Sequence, residues 1–390
     1  MRWAGIKNPM KSTFTVVLIA LLLVACSEKS TDRILKIELT EGLPGKEKAM
    51  RWSPKGEKLI LEETEDGYKA ELLLGTRDLD PVNLLLYSSV KDEQPDRLAI
   101  DMNRNGLFNE EADTILSCEP TERRGKVWSS FSGIIPVPFK GNQDLKAVVN
   151  SYPLSFWYVY DPLEPEADKI LRYSRRGWME GSIDTGDGTI HILLAESKMD
   201  GVFDRDDYWS IAPDSALHEL FAIKSSRPAD THAWFGEQAY GIDSLLPSGR
   251  AVWIKKVDPQ ITRAEEEKAN DWLAPDRAAK RSGNKVAFLH DLDYAMRLAE
   301  ERKQNVLIDF ETTWCGPCKT MDKWVYTADA VITASKNTVC VKVDGDENRK
   351  LVKEYEIAAY PTMLLLSHEG DILKRVTGYQ SVLKMVDFLK

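Results

Sequence analysis

Asp309-Phe310-Glu311-Thr312-Thr313-Trp314-Cys315-Gly316-Pro317-Cys318-Lys319 decides how the C-terminal part of this chain folds. The apolar run Val306–Phe310 leads into two cysteines two residues apart, and Cys318, Met321 and Val325 then recur at helical spacing. Strand, turn and helix in that order place Cys315 where a helix begins, and a pair so placed can pass between dithiol and disulfide. The alternative, half of a zinc site, needs a second Cys or His pair. Here the other cysteines (26, 118, 340) stand singly and the five histidines (191, 218, 232, 290, 368) are scattered. The redox reading is the stronger.

Working outward, Asp291 can cap a helix over 291–303 that carries Leu292, Met296 and Ala299 at helical spacing. Val339–Val343 reads as a strand, 347–355 as a helix, and 363–366 with 372–376 as a hairpin around His368-Glu369-Gly370-Asp371. Val382, Val386 and Leu389 predict a closing helix. That order describes an α/β sheet with helices on both faces.

The resemblance is then specific. Trp314-Cys315-Gly316-Pro317-Cys318-Lys319 is identical to the active-site sequence of thioredoxins, and Tyr360-Pro361-Thr362 resembles the family's cis-proline loop. Asp309 stands where the family keeps a buried aspartate, Lys342 where it carries a nearby lysine, and Gly378 where it has a late glycine. Residues 285–390 therefore resemble a thioredoxin domain, and 291–303 with Arg375–Tyr379 also resemble the C-terminal domain of transmembrane disulfide reductases. Tyr360 departs from the smaller aliphatic residue that most thioredoxins have. The resemblance implies a redox-active Cys315–Cys318 disulfide, with Cys315 as nucleophile and Cys318 as resolving thiol. It further implies Asp309 as proton acceptor, Lys342 tuning it, and Trp314, Gly316, Pro317, Tyr360, Pro361 and Thr362 forming the substrate face; no cofactor is required. Physics agrees for Cys315: a helix N-terminus favours the thiolate and draws the thiol toward neutrality, as thioredoxins themselves illustrate.

At the other end, Arg2, Lys7 and Lys11 precede an apolar run from Phe14 to Ala25 that stops at Leu23-Val24-Ala25-Cys26. A positive start and a short apolar core describe a secretory signal, too short for the ~20 apolar residues a span needs. Its end resembles the lipobox of bacterial lipoproteins. The expectation is a signal peptide over 1–25, acylation of Cys26 into the lipid bilayer, and a tether over 26–32. Ser27 after the cysteine resembles proteins sorted to the outer membrane. The expected location is the bacterial cell envelope, on the outer membrane facing the periplasm.

Residues 33–258 read as an all-β domain, a sandwich or roll, from short β-branched and aromatic runs between Pro, Gly, Asn and Asp clusters. Predicted strands include 34–39, 82–87, 134–137, 156–160, 190–194, 220–223 and 252–257. Eight of the eleven tryptophans lie between Trp52 and Trp272, where core packing is the expected use and an aromatic ligand face the alternative. Asp101, Asn103 and Asn105, followed by Gly106, resemble the start of a calcium loop, and Glu196 to Asp204 repeat the pattern with Lys198 inside it. Structural calcium is one reading and an Asx-rich turn the other. The two loops suggest an internal duplication. Residues 259–284 read as a linker.

A net charge of −10 and a pI near 5.3 argue against nucleic acid as a partner. Cys118 and Cys340 are expected to be free thiols packed as small hydrophobes. The whole reads as a membrane-anchored oxidoreductase that reduces disulfides of exported proteins, supplied with electrons by a membrane-spanning reductase. An oxidase or isomerase on the same dithiol is one alternative. A non-enzymatic lipoprotein whose β domain is a binding module, calcium-stabilised or not, is the other.

Overall fold

The structure, a computed structural model, describes residues 33–45, 58–76, 79–108, 111, 113–139 and 148–390. The expected signal, Cys26 and the tether lie outside the described residues, as does Trp52. Among the described residues no helix is long and apolar enough to cross a membrane.

The β region is two sandwiches, one inserted in the other. In the inserted one, a meander of Glu62–Thr64, Gly67–Leu72, Val82–Tyr87, Arg97–Ile100 and Thr114–Ser117 faces a second sheet. That sheet is built on the long hairpin Lys126–Phe139 with Val148–Tyr160, flanked by Ile170–Arg175 and Thr121–Arg123. Alternation sends Leu72, Leu84, Leu86 and Leu98 inward against Phe131, Tyr152, Leu154 and Phe156. The outer sandwich begins before the insertion, with Leu35–Glu38 and Thr40–Gly42, and resumes after it at Trp178–Asp184. Its core joins Ile37, Met179, Ile192 and Trp209 to Ile242, Val252 and Ile254. The expected strand over 220–223 is instead 3-10 helix, Asp214–Phe221 and Ile223–Ser225. Its apolar pair Leu220 and Phe221 folds under Trp178 rather than joining a ladder.

A buried ion pair joins the two sandwiches. Arg175, at the end of the inserted sandwich, pairs with Glu196 of the outer one, and the Tyr152 hydroxyl donates to the same carboxylate. The Arg175 guanidinium lies 3.9 Å above the Tyr152 ring. Burial pushes the Glu196 carboxyl up, against the pull of Arg175. Such pairs specify an arrangement more than they stabilise it.

The two calcium-like loops share one design. Gly106 and Gly201, at φ of +79° and +81°, donate their N–H groups back to Asp101 (2.7 Å) and Glu196 (2.6 Å). The amides of Met102 and Ser197 donate forward to Asp113 (2.9 Å) and Asp207 (2.7 Å). This shared bonding supports duplication. The same bonds have the form of an Asx-rich turn. Asp101 receives Asn83, Asn105 and Gly106; Asn103 receives Asn105; Asn105 receives Leu107. In the second loop Glu196 is taken by Arg175 and Lys198 pairs with Asp206 at 2.5 Å. Among the described residues no group of three or more His, Cys, Asp or Glu side chains could hold a metal ion.

The linker is ordered and tied at both ends. Thr262 and Glu265 form a capping box on helix Arg263–Ala269, whose Glu266 pairs with His232 and accepts from Trp234 of the outer sandwich. Buried Asp276 accepts from the Tyr379 hydroxyl (2.6 Å) and from the Val382 amide (2.8 Å) in the C-terminal domain.

That domain has the sheet order Phe288–Leu289, Thr338–Asp344, Asn305–Glu311, Thr362–Leu366, Ile372–Thr377, with the first two pairings parallel and the last two antiparallel. Asp291 caps helix Leu292–Arg302 through the Tyr294 amide, 2.8 Å away. One sheet face packs on that helix through Ala295 and Ala299. The other packs on helices Gly316–Trp324, Asp329–Ala334 and Val382–Phe388 through Met321, Val331 and Met385.

Since the loop oxygens are occupied by the chain's own amides, chelation of divalent cations should leave the thermal midpoint unchanged in scanning calorimetry. A fall of several degrees, restored by calcium, would contradict the turn reading.

Candidate active site

Helix Gly316–Trp324 has Cys315 at its N-cap and Pro317 in its first turn, where a missing N–H costs nothing. Cys315 and Cys318 form a disulfide with Cα atoms 5.3 Å apart, and the Cys318 amide donates to Cys315 Sγ at 3.1 Å. Both cysteines are 3% exposed, whereas Trp314 beside them is 49% exposed. The Trp314 indole donates to Asp346 (2.7 Å), and the ring meets Tyr360 edge-on at 5.8 Å.

Sheet register brings the second loop alongside. Phe310, near the end of the strand that runs into the dithiol, pairs with Thr362, so Tyr360 and Pro361 lie beside that end. The Tyr360–Pro361 bond is cis. Gly378, at φ +86°, donates to the Pro361 carbonyl at 2.7 Å, and the Thr362 hydroxyl to the Ala359 carbonyl at 2.7 Å. The loop is therefore held from both sides. The Tyr360 ring occupies the space above Gly345, where a Cβ would stand 2.1 Å from its hydroxyl. A side chain at 345 would have to displace that ring.

Alternation along Asn305–Glu311 places Asp309 with Leu307 on the face covered by the dithiol helix. Asp309 is buried, with the Tyr326 hydroxyl facing it, and neither its Oδ1 nor that hydroxyl completes a well-aligned hydrogen bond among the described residues. Lys342 Nζ lies 3.6 Å from its Oδ2, but that ammonium also pairs with Glu311 and with Asp322 at 2.7 Å. Three carboxylates share one cation. Burial therefore prevails and pushes the Asp309 carboxyl up to about 6, with Lys342 opposing and Glu311 reinforcing the shift. Burial works to lower Lys342, but the surrounding carboxylates hold its ammonium above the usual range.

The structure thus gathers Trp314, Cys315, Gly316, Pro317, Cys318, Tyr360, Pro361 and Thr362, with Asp309 and Lys342 on the adjoining sheet face. Asp101, Asn103 and Asn105 sit apart in the inserted sandwich. Cys118 is free and half-buried; Cys340 is free and buried, its thiol pushed up to about 12 by desolvation. Four residues at the site were not singled out from the sequence. Glu311 follows Asp309 by two and Asp322 follows Cys318 by four, spacings that place each near Lys342. Gly345 and Asp346 carry no such signal.

A redox-active cysteine pair at a helix N-terminus beside a cis-proline loop defines a thiol–disulfide oxidoreductase, a class that needs no cofactor. A model of the thioredoxin family matches residues 285–390. Thioredoxin H1 of Arabidopsis thaliana is 36% identical over 83 residues, 21% of this chain and 69% of that protein. Through this domain the chain belongs to the thioredoxin family. It is also similar to the thiol:disulfide interchange protein DsbD of Klebsiella pneumoniae, 31% identical over 119 residues, 28% of this chain. The chain spans only 20% of that protein's length. Among solved structures, oxidised mitochondrial thioredoxin 3 of Saccharomyces cerevisiae has 31% identity and a TM-score of 0.20, covering 24% of this chain and 83% of that one.

Because Asp309 ionises at about 6 when folded against an ordinary 3.8, the folded state holds a proton that the unfolded state has released. Stability from this group is present below about 4 and lost as pH rises through about 6. Asp309→Asn should therefore stabilise the protein at pH 8 by about 3 kcal/mol. The gain should vanish near pH 4, as read by denaturant unfolding; a pH-independent gain would show that the carboxyl is not perturbed.

Proposed function

We propose that this protein is a lipid-anchored oxidoreductase of the bacterial envelope that reduces disulfides in exported proteins. The observation that carries the chemistry is the Cys315–Cys318 pair at the helix N-terminus, with Asp309 ionised near neutrality on the adjoining face. The Cys315 thiolate attacks one sulfur of the substrate disulfide and expels the other, giving a mixed disulfide. Cys318 passes its proton to Asp309 and attacks Cys315 Sγ, breaking the mixed disulfide, and the two expelled substrate thiolates take up two protons, matching the one now on Asp309 and the one Cys315 gave to solvent on forming its thiolate. Two electrons and two protons pass to the substrate, leaving Cys315–Cys318 oxidised. Tyr360 and Thr362, flanking Pro361, offer backbone to an extended substrate chain, and Trp314 covers the edge of the dithiol.

The reductive direction is supported by the Gly-Pro pair between the cysteines, which resembles that of reducing family members. Sustained turnover then needs a dithiol donor, and in an exported protein that donor is a membrane-spanning reductase. The anchor is supported by the run from Phe14 to Cys26, and Ser27 favours the outer membrane facing the periplasm. Several acyl chains hold more firmly than one, each buried methylene adding ~0.8 kcal/mol.

Cys318→Ser removes the resolving thiol and should accumulate exported proteins as mixed disulfides on Cys315, seen as reductant-sensitive bands in native membranes. An empty trap would contradict the assignment. Cys26→Ala should move the chain from the membrane pellet to the soluble fraction, and unchanged sedimentation would remove the lipid anchor.

A further inference from the structure

The turn of the hairpin Thr121–Arg123 with Lys126–Phe139 reaches from the inserted sandwich to the dithiol site. Its two loop residues, Arg124 and Gly125, have φ of +56° and +65°. Two-residue turns of that kind favour Asn, Asp or Gly at the first position, because other side chains crowd the backbone there. An arginine in that conformation is a local cost that something else must offset.

Its contacts supply that something. The Arg124 guanidinium lies 4.5 Å above the Trp314 ring, and its Nε pairs with Asp346 at 3.1 Å. This is the carboxylate that receives the Trp314 indole. One carboxylate therefore fixes the ring's edge and the cation over its face.

Further pairs tie the same seam. Arg349, opening the helix that follows Asp346, donates to the Gly125 carbonyl at 2.5 Å and pairs with Asp161. Lys126 holds the other oxygen of Asp161 at 2.7 Å. Burial alone would raise Asp161, but these two cations bring it down to about 2. Lys353 stands 3.6 Å from Glu164. The turn itself is cut to fit: a Cβ at Gly125 would stand 2.6 Å from the Arg349 guanidinium.

We propose that this arm makes Arg124 a specificity-determining residue, a fixed wall on the Trp314 side of the dithiol that admits flexible, extended disulfide-bearing segments and turns away disulfides set in a broad folded face. The proposal rests on the oxidoreductase reading and assigns the β region a part in it. A folded partner must place its surface across Trp314 to bring a sulfur to Cys315, and the arm with the sandwich behind it occupies that approach. On this proposal a small or extended disulfide approaches over Tyr360 and Pro361 instead.

The test is single-turnover oxidation of the pre-reduced full chain by two disulfides, followed by loss of thiols. One is native insulin, whose disulfides sit in a folded surface; the other is hydroxyethyl disulfide, small and uncharged. Asp161→Arg faces Arg349 and Lys126 with a like charge and releases the arm from outside the site. It should raise the insulin rate by about fivefold or more, the scale of coupling between neighbouring groups, and leave the hydroxyethyl disulfide rate unchanged. Asp161→Arg combined with Arg349→Asp should return the insulin rate toward the parent value. Arg124→Gly suits the turn, so it should raise the insulin-to-small-disulfide ratio with an equal or higher melting temperature. A merely structural Arg124 would not move that ratio. An unchanged or lower ratio in both Asp161→Arg and Arg124→Gly overturns the proposal. A parent chain that reacts with neither disulfide overturns the oxidoreductase reading beneath it.

Discussion

A sulfur held at the start of a helix is the constraint on which the C-terminal domain depends. The Cys318 amide reaches Cys315 Sγ only because Pro317 pre-sets the first turn and the strand ending at Glu311 delivers the chain there. Unpaired amides at that terminus favour negative charge on Cys315. The rest of the site follows from serving that sulfur. The register of the neighbouring strand, with Thr362 opposite Phe310, carries the cis-proline loop to the dithiol, and Gly378 fastens the loop from behind. Beneath lies an arrangement with one cation for three carboxylates. Lys342 would neutralise Asp309 if it served that carboxylate alone. Shared with Glu311 and Asp322, it leaves Asp309 poised to gain or lose a proton near neutral pH.

The β region frames this domain. Nesting one sandwich inside another ties both through the Arg175–Glu196 pair, so the hairpin that carries Arg124 projects from a doubly supported base. The linker gives no slack at its ends, since Glu266 binds one side and Asp276 the other. Contacts across the seam are charged and partly exposed, each of a kind worth little by itself. Acting together on a rigid base, they fix position more than they add stability.

Local patterns were legible in the residues alone. Strand, turn and helix between 305 and 324 follow from apolar spacing and a proline two residues into the helix, and Asp291 reads as a cap by its type and place. Asp309 was legible through the family resemblance, and its cost in an apolar strand agrees with a task. The alternation of short apolar runs indicated sheets but not their partners, because a strand's period reports its faces and not its neighbours. Nothing in Leu35–Glu38 says that it pairs with Ala251–Val257 across the insertion. Leu220 and Phe221 misled for a related reason: a short apolar run fits a buried 3-10 turn as well as a strand. Arg124 was invisible because its partners lie more than 180 residues away and the charge run around it looks like any solvated turn. The calcium-like loops showed the right residue types, but whether an Asx oxygen meets a cation or an amide is decided by backbone shape.

The central claim is that the Cys315–Cys318 pair works as a reductant, and its reduction potential tests this most directly. Equilibration of the full chain against glutathione buffers should give a value near that of thioredoxin, about −270 mV, where the pair can donate to substrate disulfides. A value near the strong-oxidant end, about −120 mV, would contradict the account and assign the dithiol to disulfide formation.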